Sequence, residues 1–533
     1  MTYLFPGPAI RRPVNTPTKA SRSGPSTRVI KFILLLLALH AGECFADTAT
    51  SGNGQSVESA TTNVAATLDP RWLPEGGGKL SLMDHAPGLL PYFNNAPVFG
   101  VPGTVTGDFW SRTQLTGDWG GTRTDWARHG VFIDLYTTSA YQNVTSGGLK
   151  TGESFVQSAQ TSLNIDSGRA GLWSGGVFHL TLQSRYGSPP EDTFTAGASV
   201  PSYIGLVHPA PTLYHDTEAT EYYVAQALSR HFSLVVGKIS DIFIPDQTMI
   251  GNSYKYYFAN FNFNKNPMTV NFYNPSALAA LAAWTPTDKF GLAGGVLDPN
   301  TQADNFAQHA FNKVNLYLMS LLNYQVDGLP GQFAPAYNWS NQRHIDLKDP
   351  YGPLTPSEIP AAVGGLVGGS REGLPQNYRN RSSFLIANFT QYVYLSDSPD
   401  DVARQMRAGQ VPRGVALFGR AGYAPSRTNP ITRDASLNVI AHGIIDARPY
   451  DSFGAGYYFN EISDDLKQSV AYLTGGARKV KNEKGAEVFY DFAITPAIRF
   501  ITSYQHIVDP LTARVATQQD KADVLLVRLT VAW

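Results

Sequence analysis

Asp134, Tyr136, His179, Gln183, Arg185, Arg420, Glu487, Asp491 and Arg499 carry the donors, acceptors and charges with which a protein can hold a polar solute. Each alternates with apolar neighbours in a short segment. In Val177 to Tyr186, for example, Phe178, Leu180, Leu182 and Tyr186 interleave with His179, Thr181, Gln183 and Arg185. A period of two is the signature of a strand with two different faces. The nine residues are therefore expected to share the wet face of such strands and to line a solute path, some of them near its narrowest point. The plainer alternative for any one of them is that it only solvates a wide vestibule. Catalytic spacings are missing: the 11 histidines include no His-Glu-x-x-His pair, and neither a Gly-x-Ser-x-Gly elbow nor a phosphate-binding Gly-x-x-x-x-Gly-Lys-Ser/Thr loop occurs. No catalytic residue, metal ligand or cofactor is assigned.

The elements that must position these side chains repeat the same pattern. Val131, Ile133 and Leu135 oppose Asp134, Tyr136, Thr138 and Gln142, and Phe155, Ala159, Leu163 and Ile165 oppose Ser158, Gln160, Ser162, Asn164 and Asp166. Val488, Tyr490, Phe492 and Ile494 oppose Glu487 and Asp491; after a turn at Thr495-Pro496-Ala497, Ile498 and Phe500 oppose Arg499 and Ser503. Val415, Leu417, Ala421 and Tyr423 oppose Arg420. The tight turn at 495–497 and the long Gly/Pro-rich stretch from Gly328 to Asn377 suggest short turns at one end and long loops at the other, as in outer-membrane barrels.

A soluble β-sandwich would also alternate. The last segment decides between the two, because Leu525, Val527, Leu529, Val531 and Trp533 form one apolar face ending in an aromatic residue. Such a strand resembles the signal by which outer-membrane barrels are recognised for assembly. Backbone groups in a bilayer must all be paired, and strands achieve that only in a closed barrel. The fold expected is all-β, a transmembrane antiparallel barrel, and the chain length accommodates ~16 or equally ~18 strands around an aqueous channel.

Composition agrees. Charged residues make up 16% of the 533 residues, against roughly 25% in ordinary soluble domains, and mean hydropathy is −0.18. No apolar run after residue 46 is long enough for a spanning helix. A formal charge of −1 and a pI near 6.8 give no reason to expect nucleic acid as a partner. Arg28 and Lys31 precede the apolar run from Phe32 to Leu39, and Cys44-Phe45-Ala46 fits a cleavage site, so residues 1–46 read as a signal peptide. Cys44, the one cysteine, falls inside that leader. Residues 47–110 read as a flexible, irregular segment rich in Pro, Gly, Ser and Thr, and 111–533 as the barrel.

Leu115-Thr116-Gly117-Asp118-Trp119-Gly120-Gly121-Thr122-Arg123, followed by Gly130-Val131-Phe132-Ile133-Asp134, resembles the opening of the carbohydrate-selective porins of the OprB family. The likeness continues in order to Trp533. It includes Gly171 to Phe178, Val236 to Asp241 (similar to a glycine-lysine turn), Ala416 to Pro425, Ala447 to Asp451, and Glu487 to Pro510. The resemblance implies a 16-stranded barrel in the outer membrane of a Gram-negative bacterium, passing monosaccharides such as glucose by facilitated diffusion without energy or cofactor. Its partners would be small neutral sugars, outer-membrane lipid, and the assembly machinery that reads the strand ending in Trp533. Association as a homotrimer is left open. Asp118, Trp119 and Arg123 could shape the channel from an inward-folded segment, or Trp119-Gly120-Gly121 could be a packing turn that closes the barrel. Rival readings are a general or anion-selective porin, a barrel enzyme such as a lipid hydrolase, and a plugged adhesin whose activity lies in its loops.

Overall fold

The computed structural model describes residues 105–187, 196–203, 217–229, 231–239, 255–273, 276–287, 289–301, 310–398, 401–402 and 411–533. The leader expected at 1–46 and nearly all of the segment expected at 47–110 lie outside the described residues.

A short 3-10 turn at Trp119–Gly121 leads into helix α1 (Thr122–Arg128), and the strands follow. These are β1 (Val131–Gly147), β2 (Gly152–Asp166), β3 (Gly176–Gly187), β4 (Thr217–Ala227) and β5 (Phe232–Ile239). After α2 (Phe261–Asn264) come β6 (Ala277–Thr287), β7 (Phe290–Leu297), β8 (Asn315–Val326) and β9 (Leu329–Ser340). A two-stranded ribbon, β10 (His344–Ile345) with β11 (Tyr378–Arg379), brackets α3 (Ile359–Leu366). The chain continues with β12 (Ser382–Leu395), β13 (Gly414–Tyr423), β14 (Ile431–His442) and β15 (Ser452–Ile462). Helix α4 (Asp464–Leu473), β16 (Glu483–Thr495), β17 (Ile498–Val508), α5 (Leu511–Ala516) and β18 (Lys521–Ala532) complete it.

All strands except the ribbon pair join one closed antiparallel barrel of sixteen strands, in which β1 is bonded to β2 on one side and to β18 on the other. Closure leaves no unpaired edge, which a bilayer demands. Along β1 the even positions from Phe132 to Val144 are buried while Ile133, Leu135 and Thr137 are less so; β16 alternates the same way, with Val488, Tyr490, Phe492 and Ile494 exposed on the outer face. The outer aliphatics and aromatics are the lipid-facing band.

Connections at the two ends differ as expected. β8 turns into β9 at 327–328 and β16 into β17 at 496–497, whereas 341–381 and 463–482 join strands at the opposite end. Two sequence expectations need correction. Gly328 to Asn377 is not one loop, because its first part is β9, whose Pro330 and Pro335 are accommodated within the barrel. Val236-Gly237-Lys238 is not a turn but the body of β5; Gly237 adopts φ 144° so that the backbone can approach Tyr222, whose carbonyl would sit 2.3 Å from any added Cβ.

The connections at the long-loop end pack on each other. Helix α3 contacts α4 and α5. Leu366, Leu466, Val470, Leu511 and Val515 join one apolar cluster there. Ser463 caps α4 by accepting from Leu466 N, and Asp464 and Asp465 occupy the first turn, where the helix dipole favours acids.

Candidate functional site

All nine candidate residues lie on the shielded, inner face of the barrel wall, each less than 10% exposed. Most of them do not project into free space. Between β5 and β6 the segment 255–273 runs through the interior, and much of the wet face is spent on holding it. Its start is bonded by Lys255 Nζ to Gln160 Oε1 at 2.7 Å, with the ammonium 4.4 Å from the Tyr136 ring centroid.

Glu487 accepts from the backbone N–H of Ala259 at 2.8 Å and of Asn260 at 2.9 Å. Arg420 donates to the carbonyls of Phe263 at 2.5 Å and Asn264 at 3.0 Å. These two residues, three strands apart on the same stretch of wall, therefore hold the two ends of α2, Glu487 its start and Arg420 its end. Asn260 caps α2 through Asn262 N and also donates to Gln505, while Asn266 donates to Asp434. Phe258 packs against Phe263, Phe418 and Phe489, filling the space between the clamps. A segment of irregular backbone inside a barrel needs this density of partners, because every unpaired buried N–H or C=O is costly.

Asp491 and Arg499 pair in a fork at 3.0 and 2.5 Å, with the guanidinium 5.7 Å from the Tyr256 ring centroid. His179 sits in a second group on β2–β4. Its Nδ1 meets Asn164 Oδ1 at 2.6 Å, its Nε2 meets Thr181 Oγ1 at 2.8 Å, Glu221 is 3.7 Å away, and its ring stacks on Tyr223. Gln183 and Arg185 follow on the same face of β3. The structure thus gathers Tyr136, Arg420, Glu487, Asp491 and Arg499 around the inward segment and leaves His179, Gln183 and Arg185 on a neighbouring stretch of wall.

Asp118, Trp119 and Arg123 resolve toward the packing turn. Asp118 accepts from Thr124 N and Thr124 Oγ1, both at 2.7 Å, and so fixes the start of α1. Trp119 is 44% exposed and holds φ 52°, with its indole N–H on Thr116. Arg123 is buried and donates to the backbone oxygens of Ile133 at 2.8 Å and Trp533 at 3.0 Å, with Asp134 3.8 Å away. Leu115 N bonds Ala532 O, and Trp533 N bonds Leu135 O. Arg123 thus pins the β1–β18 seam rather than shaping the path.

Residues outside the nine also matter. Arg528 is fully buried and donates to Tyr257 O. Strict alternation with Leu525, Val527 and Leu529 places it on the inner face, so the same signal would have found it. Lys255, Asn260 and Asn266 have no such signal, since their segment lacks any period.

The sequence profile of the carbohydrate-selective porins, OprB family, matches residues 153–532. The matched stretch begins after Leu115 to Asp134, where the likeness was first read. No curated protein matches the sequence. A high-pH structure of OprB from Pseudomonas putida is similar at 18% identity and a TM-score of 0.64, over 80% of this chain and 100% of that one. The low-pH structure of the same protein gives 14% identity and a TM-score of 0.47, over 80% and 99%. OccK11 from Pseudomonas aeruginosa gives 8% and 0.39, over 76% and 96%. With the profile matching well over half of the sequence and the strands closing into a sixteen-stranded barrel, this chain belongs to the OprB family of carbohydrate-selective porins of the bacterial outer membrane.

Proposed function

We propose that this member passes small neutral carbohydrates, monosaccharides such as glucose, by facilitated diffusion. The observation that carries the reading is the mixed polarity of the inner wall around the inward segment. Asp491 is matched by Arg499, and Glu487 and Arg420 hold the two ends of α2. Neither sign dominates, which disfavours an anion-selective path, and the many neutral donors and acceptors suit hydroxyls that must exchange water for protein partners. Occupancy must stay weak for a pore to release its solute. A lipid hydrolase would need a serine and histidine paired on the outer rim, and no such arrangement supports that reading among the described residues.

Residues 1–46 would direct export and be removed, 47–110 would precede the barrel, and 111–533 would form it. The strand ending in Trp533 would be read by the barrel-assembly machinery. Conductance in planar bilayers tests the sugar path: added glucose should lower the ion current in a saturable way, and a current indifferent to glucose at all concentrations would contradict it.

A further inference from the structure

Charge is spread unevenly round the barrel. The six consecutive barrel strands β5–β9 and β12 hold one charged residue, Lys238, which shares the face of Tyr222 and Leu278 rather than the inner one. The inner positions of β1–β3 and β16–β18 are buried except at the strand-end glycines Gly147, Gly152 and Gly187. On β6–β8 they are not: Ala283, Ala293, Gly295, Met319, Leu321 and Asn323 keep partial exposure on the inner face. Register places Ala283, Ala293 and Met319 side by side, with Leu321 one inner step along β8. Accessible lumen therefore borders a wall on which Asn323, bonded to Gln332, is the one polar side chain of these six and the other five are alanine, glycine, leucine and methionine.

We infer that the permeating sugar travels against this wall with its least hydroxylated edge on Ala293, Met319 and Leu321, so that the pore favours 6-deoxyhexoses over the corresponding fully hydroxylated hexoses. This rests on the reading of the protein as a sugar pore. A hydroxyl pressed to the side chains of Ala293, Met319 and Leu321 loses water and finds no donor or acceptor on them in exchange, whereas a methyl group there loses nothing and buries apolar area. The preference is modest, because an apolar surface rejects an added hydroxyl only weakly.

Swelling of proteoliposomes with glucose and 6-deoxyglucose tests it, on wild type and on Leu321→Asn and Ala293→Ser, with the heat-dependent gel shift confirming a folded barrel. The deoxy sugar should permeate roughly 2- to 10-fold faster in wild type, and the ratio should fall toward one in both variants. A wild-type ratio of one with glucose permeating, or a ratio unchanged in the folded variants, overturns the inference and leaves the sugar pore standing. Permeation of neither sugar overturns both. Should Leu321→Asn fail to fold, Ala293→Ser, which adds a single hydroxyl, decides alone.

Discussion

Glu487 shows what a charged side chain does inside this barrel. Its two oxygens take the N–H groups of Ala259 and Asn260. Glu487→Ala orphans both, at about 1–3 kcal/mol each. That variant is expected to loosen the inward segment while the barrel persists, read as higher and noisier single-channel conductance; an unchanged conductance would show that the clamp does not set the bore. Glu487→Gln keeps one acceptor and should fall between. Arg123 acts at the seam instead. Arg123→Ala removes the bonds to Ile133 O and Trp533 O and should cost about 2–4 kcal/mol, seen as a lower urea midpoint in detergent with permeation largely kept. For Arg123 the sequence fits an inward-folded segment and a packing turn equally, whereas the inward position of Glu487 was legible from alternation. Their tasks were not, because period two tells which face a side chain occupies and nothing about what folds back against it.

At the level of elements, the ribbon and α3–α5 form the structure over the long-loop end, and its fastening is acid-sensitive. Asp346 joins Arg379 at 2.9 Å and Arg427 at 2.7 Å; burial opposes its charge, but the bonds from both arginines outweigh it and hold the carboxyl below its usual range. Burial against Phe272 pushes His344 down to about 4. Opening of the ribbon lets His344 take a proton below about pH 6.5, so stability falls with pH from there to about 4. The Asp346 contribution is present at neutral pH and is lost only below the ordinary carboxylate range. The opening constant of 341–381, taken as the hydrogen-exchange rate divided by the intrinsic amide rate at each pH, is expected to rise between pH 6.5 and 4, and His344→Gln should abolish that rise; an opening constant that stays flat or falls on acidification would contradict the assignment. None of this was legible beforehand, since 341–377 offers no period. Strands β1–β3 and β16–β18 were legible because their faces differ in polarity. Ala277 to Ala283 in β6 is apolar on both faces and so carries no alternation to read.

The described strands form a closed wall with a polar side and a nearly uncharged side, and the segment 255–273 is tied along its inner face. Sixteen strands could not be told from eighteen by length alone; pairing of β1 with β18 settles the count. The described face of each strand follows from the bilayer outside and water inside, but the inward segment depends on partners far apart in sequence, such as Ala259 with Glu487 and Phe263 with Arg420. The central claim is that this barrel passes small neutral sugars by diffusion, and proteoliposome swelling tests it most directly. Glucose should permeate faster than an amino acid of similar size and faster than a sugar acid, with a disaccharide slower than glucose. Equal permeation of all small solutes, faster permeation of the acid, or no permeation at all would contradict the claim.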